Sequence, residues 1–170
     1  RFTGTIFEVL SSPLSSSQIL VGYVFAATLK SVLIGLLILF SAKFLLDFQI
    51  YNSFIFFLNL IIIALIFCLI GFVIGMSSKS FDNLQFFPNL VITPLTFLGG
   101  AFYSISKLPE FFQNLSLLNP LFYFIDFFRW ALFGISEVSI FKSLSIMLLI
   151  LLLSFVFTLI AIKKGALKIS

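Results

Sequence analysis

Three observations predict that this chain is an all-α integral membrane protein. Hydrophobic residues make up 61% of its 170 residues and charged residues only 9%, whereas soluble domains carry about 25% charged residues. Four apolar segments are long enough to cross a bilayer as helices. Between the third and the fourth lies a region that is equally apolar but interrupted by glycine and proline. Lipid would therefore be the solvent around helices that are hydrophobic on every side.

The four predicted spans cover residues 18–46, 54–76, 85–104 and 142–162. A membrane-spanning helix needs about 20 mostly apolar residues, and the second and third segments carry no charged residue. Ser15 and Gln18 have the spacing of a capping box, which predicts the start of the first span. Within that span, Lys30 is expected near the inner surface, where its long stem lets the ammonium group reach water. Pro88 and Pro94 predict a kink in the third span, because proline lacks a backbone N–H.

The distribution of basic residues predicts the orientation of the spans. Four spans place both ends of the sequence on one side of the membrane. Arg1, Lys79, Lys163, Lys164 and Lys168 fall on that side, against Lys43, Lys107, Arg129 and Lys142 on the other. Because basic residues are enriched in cytoplasmic segments, the start and the end are predicted to be cytoplasmic.

The first residues predict a short helix outside the bilayer. Thr5 and Glu8 have capping-box spacing, in which the two side chains satisfy free backbone N–H groups at the helix start. The helix would continue through Leu10 and end before Pro13, because the residue ahead of a proline disfavours helical geometry. Two interpretations stay open at this point: a capped helix lying at the interface, and a cytoplasmic element that docks a soluble partner.

Region 107–134 predicts two half-helices on the outer side. The third apolar segment is interrupted at Gly99 and Gly100. Pro109 is predicted at the first position of a short helix. Asn119 caps a second helix, with Pro120 at its first position. This second helix, from 121 to 133, would rise about 20 Å, which is less than the hydrocarbon core of about 30 Å. A re-entrant pair fits these lengths, and so does a helix lying flat at the interface.

Two charged residues lie within the second half-helix. Asp126 and Arg129 are three residues apart, which places them on one helix face. Charged residues in apolar surroundings are usually paired or face water. We therefore predict a structural ion pair between them, with a contact to substrate as the alternative.

Several classes of function lack the residues they require. The sequence contains no histidine, so an imidazole metal site and a histidine base are excluded. No acidic pair lies inside a span, which argues against a carboxylate proton relay. Glycine-rich phosphate loops and nucleophile motifs are absent from the sequence. A net charge of +4 on a membrane protein gives no reason to expect a nucleic-acid partner.

Three blocks of sequence, taken in order, resemble the membrane subunit of ABC-2 type transporters, the bacterial permeases that export polysaccharides, lipids, drugs and lipo-oligosaccharides. The blocks are GTIFEVLSSPLSSSQILVGY, SSKSFDNLQFFPNLVITPLTFLGGAFYSISKLP and LNPLFYFIDFFRWALFG. The TPLTFLGGAFYSISxLP pattern followed by LNPLFYxxxxFR is the most specific part. The resemblance covers essentially the whole sequence and is closest to small permeases that include drug and nodulation-factor exporters.

The resemblance implies a single transmembrane domain over residues 1–170, with four of six spans; the first two spans would precede this sequence. It implies that Thr5–Leu10 is a coupling helix docked on a separate ATPase subunit, with Glu8 and the turn at Pro13 transmitting movement. ATP and Mg would bind to that ATPase, and this chain would bind no cofactor or metal. A second permease copy, most simply as a homodimer in the lipid of the bacterial inner membrane, would complete the pathway. The outer mouth would be closed by the half-helices, with Gly99, Gly100, Pro109, Asn119, Pro120, Asp126 and Arg129 among its residues.

Two alternatives remain beside an exporter permease. A membrane-embedded lipid-modifying enzyme would use Asp126 and Arg129 as its polar site, but it would need a second catalytic group. A non-catalytic scaffold subunit would use the close helix approach that Gly71 and Gly75 permit.

Overall fold

The computed structural model describes residues 14–78 and 81–163, and every regular element within these ranges is helical. The elements are α1 (Ser16–Leu45), α2 (Ser53–Ser77), α3 (Phe81–Phe87), a π-helical segment (Pro88–Ile92), α4 (Thr93–Leu98), a 3₁₀ turn (Ile105–Lys107), α5 (Glu110–Leu118), α6 (Pro120–Phe133) and α7 (Ile140–Lys163). In this described part, α1, α2 and α7 are long and apolar enough to cross a membrane. The predicted coupling helix, with Thr5, Glu8, Leu10 and Pro13, lies outside the described residues.

Side-chain caps define where the long helices begin. The Ser15 hydroxyl accepts a hydrogen bond from the Gln18 N–H at 3.3 Å, and the Gln18 amide oxygen accepts one from the Ser15 N–H at 2.9 Å. This reciprocal box confirms the predicted start of the first long helix. Helix α2 begins with a single cap, in which the Asn52 side chain accepts a hydrogen bond from the Ile55 N–H at 3.1 Å.

Helix α2 is the centre of the packing and contacts α1, α6 and α7. Its inner face forms one apolar cluster with α6 and α7, built from Ile62, Ile66, Leu121, Phe124, Phe127 and Met147. A second cluster joins α1 to α2 through Leu20, Val24 and Leu69. Because lipid tails are as apolar as leucine, close packing rather than hydrophobicity holds such helices together. Helix α6 therefore owes its position to contacts with two long helices.

The third predicted span is a continuous but irregular helical segment. It runs from Phe81 to Leu98, about 27 Å at 1.5 Å per residue. Pro88 begins the π-helical turn, and the Thr93 N–H and hydroxyl both donate to the Pro88 carbonyl, the hydroxyl at 3.0 Å. This is the irregularity that the prolines predicted, because a π turn is a common cause of a kink.

Helical structure in this segment ends earlier than the sequence pattern predicted. The pattern placed the end at 104, whereas Gly99 caps α4 and a turn follows. Gly100 has φ +76°, a left-handed conformation that glycine adopts without a steric cost. The apolar composition of residues 99–104 thus belongs to a loop rather than to a helix, with its two glycines buried.

Candidate functional site at the α6–α7 junction

Asn119 fixes the start of α6 and joins it to α4. Its side-chain oxygen accepts a hydrogen bond from the Leu121 N–H at 3.0 Å, and its side-chain nitrogen donates to the Leu95 carbonyl. Pro120 occupies the first turn of α6, where its missing N–H costs nothing. The predicted cap and its proline are confirmed, and the same side chain also ties two helices together.

Pro109 immediately precedes α5 instead of occupying its first helical position, as was predicted. Its extended ψ of 148° makes it the residue that precedes α5, and Glu110 is the first helical residue. The Pro109 carbonyl still begins the helix, accepting from the N–H groups of Phe112 and Gln113. The prediction was therefore wrong by one residue, because an extended Pro109 lets the chain turn from the preceding loop into α5.

Helix α6 runs antiparallel to α7 and ends beside the connection between α1 and α2. Towards its start, Phe122 packs in one cluster with Ile146 of α7. At its end, the N–H groups of Tyr51 and Asn52 donate to the carbonyls of Leu132 and Ala131 at 2.9 and 3.0 Å. Both ends of this short helix are thus anchored to other elements.

Arg129 pairs with Glu137 rather than with Asp126. Its guanidinium lies 2.8 Å from the Glu137 carboxylate and also donates to the Gly100 carbonyl. The predicted Asp126–Arg129 pair is wrong, because the long arginine side chain extends past its own helix to the 134–139 connection. It meets there both a carboxylate and a backbone carbonyl.

Asp126 instead holds the connection between α6 and α7. Its carboxylate accepts from the Glu137 N–H at 2.7 Å and from the Ser143 hydroxyl at 3.2 Å. Only 1% of Asp126 and 0% of Ser143 is exposed. A buried carboxylate must be hydrogen-bonded to be tolerated, and here both of its oxygens are.

Glu137 is the residue on which these contacts converge. Besides the Arg129 ion pair, its carboxylate accepts from the Ile105 N–H at 2.9 Å, and its own N–H is bound by Asp126. It therefore links the 99–108 loop, α6 and the 134–139 connection. The sequence patterns did not predict a role for Glu137. Its signal was a lone acidic residue in a short connection between two apolar helices, where a basic partner is expected.

The two glycines at the end of α4 allow the loop to lie against α6. A Cβ added to Gly99 would lie 2.9 Å from Ile125 Cδ1, and one added to Gly100 would lie 3.1 Å from Ile105 Cγ1. Both distances are shorter than side chains normally tolerate. The close approach brings the Gly100 carbonyl within reach of Arg129. We refer to Asp126, Arg129, Glu137 and Ser143, with the backbone of Gly100 and Ile105, as the polar cluster.

The polar cluster is arranged to hold segments together. Each carboxylate accepts a backbone N–H, and each is also bound by a side chain from a different element. Among residues 14–78 and 81–163, no group of three or more His, Cys, Asp and Glu residues could hold a metal ion. What the geometry offers is a set of hydrogen bonds and one ion pair that join the 99–108 loop, α6, the 134–139 connection and α7.

The sequence matches a known protein family. Residues 1–133 match the family model described as ABC-2 type transporter. The chain is 33% identical over 165 residues to the inner membrane transport permease YadH of Escherichia coli K12, which covers 97% of this chain and 64% of that protein. The chain thus spans a little under two thirds of the length of this relative.

Nodulation proteins are a second group of relatives. The chain is 37% identical over 73 residues to nodulation protein J of Rhizobium leguminosarum bv. viciae, covering 43% of this chain and 28% of that protein. It is 29% identical over 126 residues to nodulation protein J of Sinorhizobium fredii, covering 74% of this chain and 48% of that protein. No solved structure matches the chain significantly. The chain belongs to the ABC-2 type transporter family and is a multi-pass protein of the inner membrane.

Proposed function

We propose that this chain is the permease subunit of an ATP-binding cassette exporter. It would move an amphipathic, lipid-like, drug-like or oligosaccharide substrate across the inner membrane. A separate ATPase subunit, which binds ATP and Mg, would drive the transport. The observation that carries the proposal is the match of 97% of the chain to an inner membrane transport permease, together with the family model over residues 1–133.

The proposed topology has four spans, with α5 and α6 as a re-entrant pair. The spans are α1, α2, the segment from Phe81 to Leu98, and α7. Helix α6 starts beside Leu95 and the second turn of α7, and it ends beside the α1–α2 connection. Its start therefore lies deeper than its end, and Asn119 would be at the inner tip of the pair. Asn119 itself is buried against the end of α4, which meets for this residue the condition for non-helical backbone at membrane depth.

The polar cluster would hold the outer mouth of the pathway closed. It joins the loop after the third span to α6 and to the start of α7 through Glu137. Opening the mouth would separate these segments and expose the Arg129–Glu137 pair to water. A hydrogen bond to a charged group contributes about 1.5–3 kcal/mol, so the cluster is strong enough to favour closure and weak enough to yield to ATP-driven movement.

Coupling to the ATPase is proposed to occur at the opposite end of the chain. Thr5, Glu8, Leu10 and Pro13 would form the docking helix and its terminal turn, a proposal supported by the capping-box spacing and by the family. A second permease copy would complete the pathway, surrounded by membrane lipids. The family supports the ATPase partner, because its members are transporters of the ATP-binding cassette class.

Charge reversal at Glu8 tests the proposal. The full-length protein carrying Glu8→Lys should insert normally but lose the ATPase subunit or its coupled ATP hydrolysis. Asp47→Lys is the matched control, because Asp47 is an exposed acidic residue in the connection assigned to the outer side. Equal ATPase binding and hydrolysis in the two variants would contradict the docking role of Glu8.

A further inference from the structure

A line of polar residues follows one face of the third span. Asp82, Gln85, Asn89, Thr93 and Thr96 recur at intervals of three or four residues along the helical segment from Phe81 to Leu98. Residues at such intervals share one helix face. The first four are exposed and Thr96 is half-buried. We call these five residues the polar stripe.

The polar stripe faces away from the rest of the described chain. Leu84, Phe87 and Val91, on the opposite face, are half-buried. Near the outer end, Ile92 and Leu95 pack against the cluster around α2 and α6. The segment is thus attached through its apolar face, whereas Asp82, Gln85, Asn89 and Thr93 on its polar face are exposed.

The hydroxyl groups of the stripe have hydrogen-bond partners, whereas two of its side-chain amides have none among the described residues. The hydroxyls of Thr93 and Thr96 donate to the carbonyls of Pro88 and Ile92 in their own segment. The side-chain amides of Gln85 and Asn89 have no hydrogen-bond partner in the described part of the chain. Each amide offers two donors and an accepting oxygen. Lipid tails can satisfy none of these groups, and polar residues at membrane depth normally face protein or a water-filled cavity.

We propose that the polar stripe lines the transport pathway and binds the uncharged, hydroxyl- or amide-bearing head of the transported amphiphile. Amides and hydroxyls recognise such heads because they can donate and accept together. Asp82, at the inner end of the stripe, disfavours anionic heads. Phe86 and Leu90 lie next to the stripe and are 61% and 59% exposed, which provides apolar contact for a hydrocarbon tail. This inference rests on the permease function and specifies its substrate class.

Cysteine accessibility tests the location of the stripe. Gln85→Cys and Asn89→Cys are made one at a time in full-length protein carrying Cys68→Ala, and membrane vesicles are treated with a water-soluble maleimide. Both positions should be labelled, whereas Leu84→Cys and Val91→Cys on the opposite face should not. Absence of labelling at 85 and 89 would overturn the proposal.

Three probes with the same tail test the chemistry of the head. Octyl glucoside, octyl sulfate and octyltrimethylammonium are added below their micelle concentrations to the Asn89→Cys protein. Octyl glucoside should slow the labelling most, and equal protection by all three would contradict recognition of an uncharged head. Gln85→Leu should raise the octyl glucoside concentration needed for protection about tenfold, roughly the effect of one lost hydrogen bond. Gln49→Leu, which removes an exposed amide from the α1–α2 connection, should leave it unchanged.

The labelling experiment does not depend on the ATPase partner. Failure of the stripe to label while Glu8→Lys still uncouples ATP hydrolysis would overturn the stripe and leave the permease function standing. Labelling of the stripe in a protein that has no ATPase subunit would contradict the exporter mechanism instead.

Discussion

The guanidinium of Arg129 lies 2.8 Å from the carboxylate of Glu137, in the connection that follows its own helix. The arginine and glutamate side chains are 23% and 16% exposed, so water screens the pair only partly. Because Glu137 also binds the Ile105 N–H, this one ion pair joins the loop after α4 to α6. It is therefore the contact whose loss should most directly loosen the proposed outer mouth.

Replacing Glu137 with Gln should lower the stability of the protein in detergent by about 2 kcal/mol, the contribution of a hydrogen bond to a charged group. Glutamine keeps an acceptor for Ile105 but loses the ion pair. Thermal unfolding measures the effect. A double-mutant cycle with Arg129→Gln should then show coupling between the two positions, and strictly additive losses would contradict a direct interaction. Glu110→Gln, in the first turn of α5, is the control.

Replacing Asn119 with Ala should cost about 1–2 kcal/mol, because a helix cap contributes this much and the tether to the Leu95 carbonyl is lost as well. The loss should appear first as faster hydrogen exchange at the start of α6, since local opening there no longer breaks the cap. Exchange that is unchanged in α6 would contradict the role of Asn119 as an anchor.

Replacing Gly100 with Ala should be destabilising, by about 1–2 kcal/mol for the left-handed conformation alone. The added Cβ would also lie 3.1 Å from Ile105 Cγ1 and 3.2 Å from the Tyr103 carbonyl. Gly71→Ala is a matched control, because Gly71 is helical and has open space beside it. Alanine there should leave the midpoint of thermal unfolding unchanged or raise it. Equal midpoints for the two variants would contradict the described loop.

Replacing Asn59 with Leu should stabilise the protein. Asn59 is 0% exposed on the packed face of α2, and neither polar atom of its side chain has a hydrogen-bond partner among the described residues. A buried polar group in this state costs about 1–3 kcal/mol, and leucine has the same branched arrangement of side-chain heavy atoms without that cost. A lowered midpoint of thermal unfolding would mean that the Asn59 amide is hydrogen-bonded in the membrane.

The sequence was informative where structure depends on neighbouring residues. The Ser15–Gln18 box and the Asn119–Pro120 start of α6 were predicted because each cap lies within a few residues of the group it satisfies. The Arg129–Glu137 pair was not predicted, because it needs the 134–139 connection to fold back beside α6. The i,i+3 rule instead suggested Asp126, which in the fold binds the Glu137 N–H and Ser143.

The early end of the third helix was missed for a related reason. Residues 99–104 are as apolar as a span, and composition alone cannot distinguish an apolar loop from a helix. The left-handed Gly100 and the approach of Ile125 to Gly99 decide the outcome. Both depend on where α6 lies, and that in turn depends on its packing against α2 and α7.

The most direct test of the exporter mechanism is to purify the full-length protein under mild conditions from its native membrane and identify the subunits that accompany it. The mechanism predicts a stoichiometric partner with a Walker A phosphate-binding loop and ATP hydrolysis that depends on both subunits. Purification of an intact, folded permease without any ATPase, in several mild detergents, would contradict it.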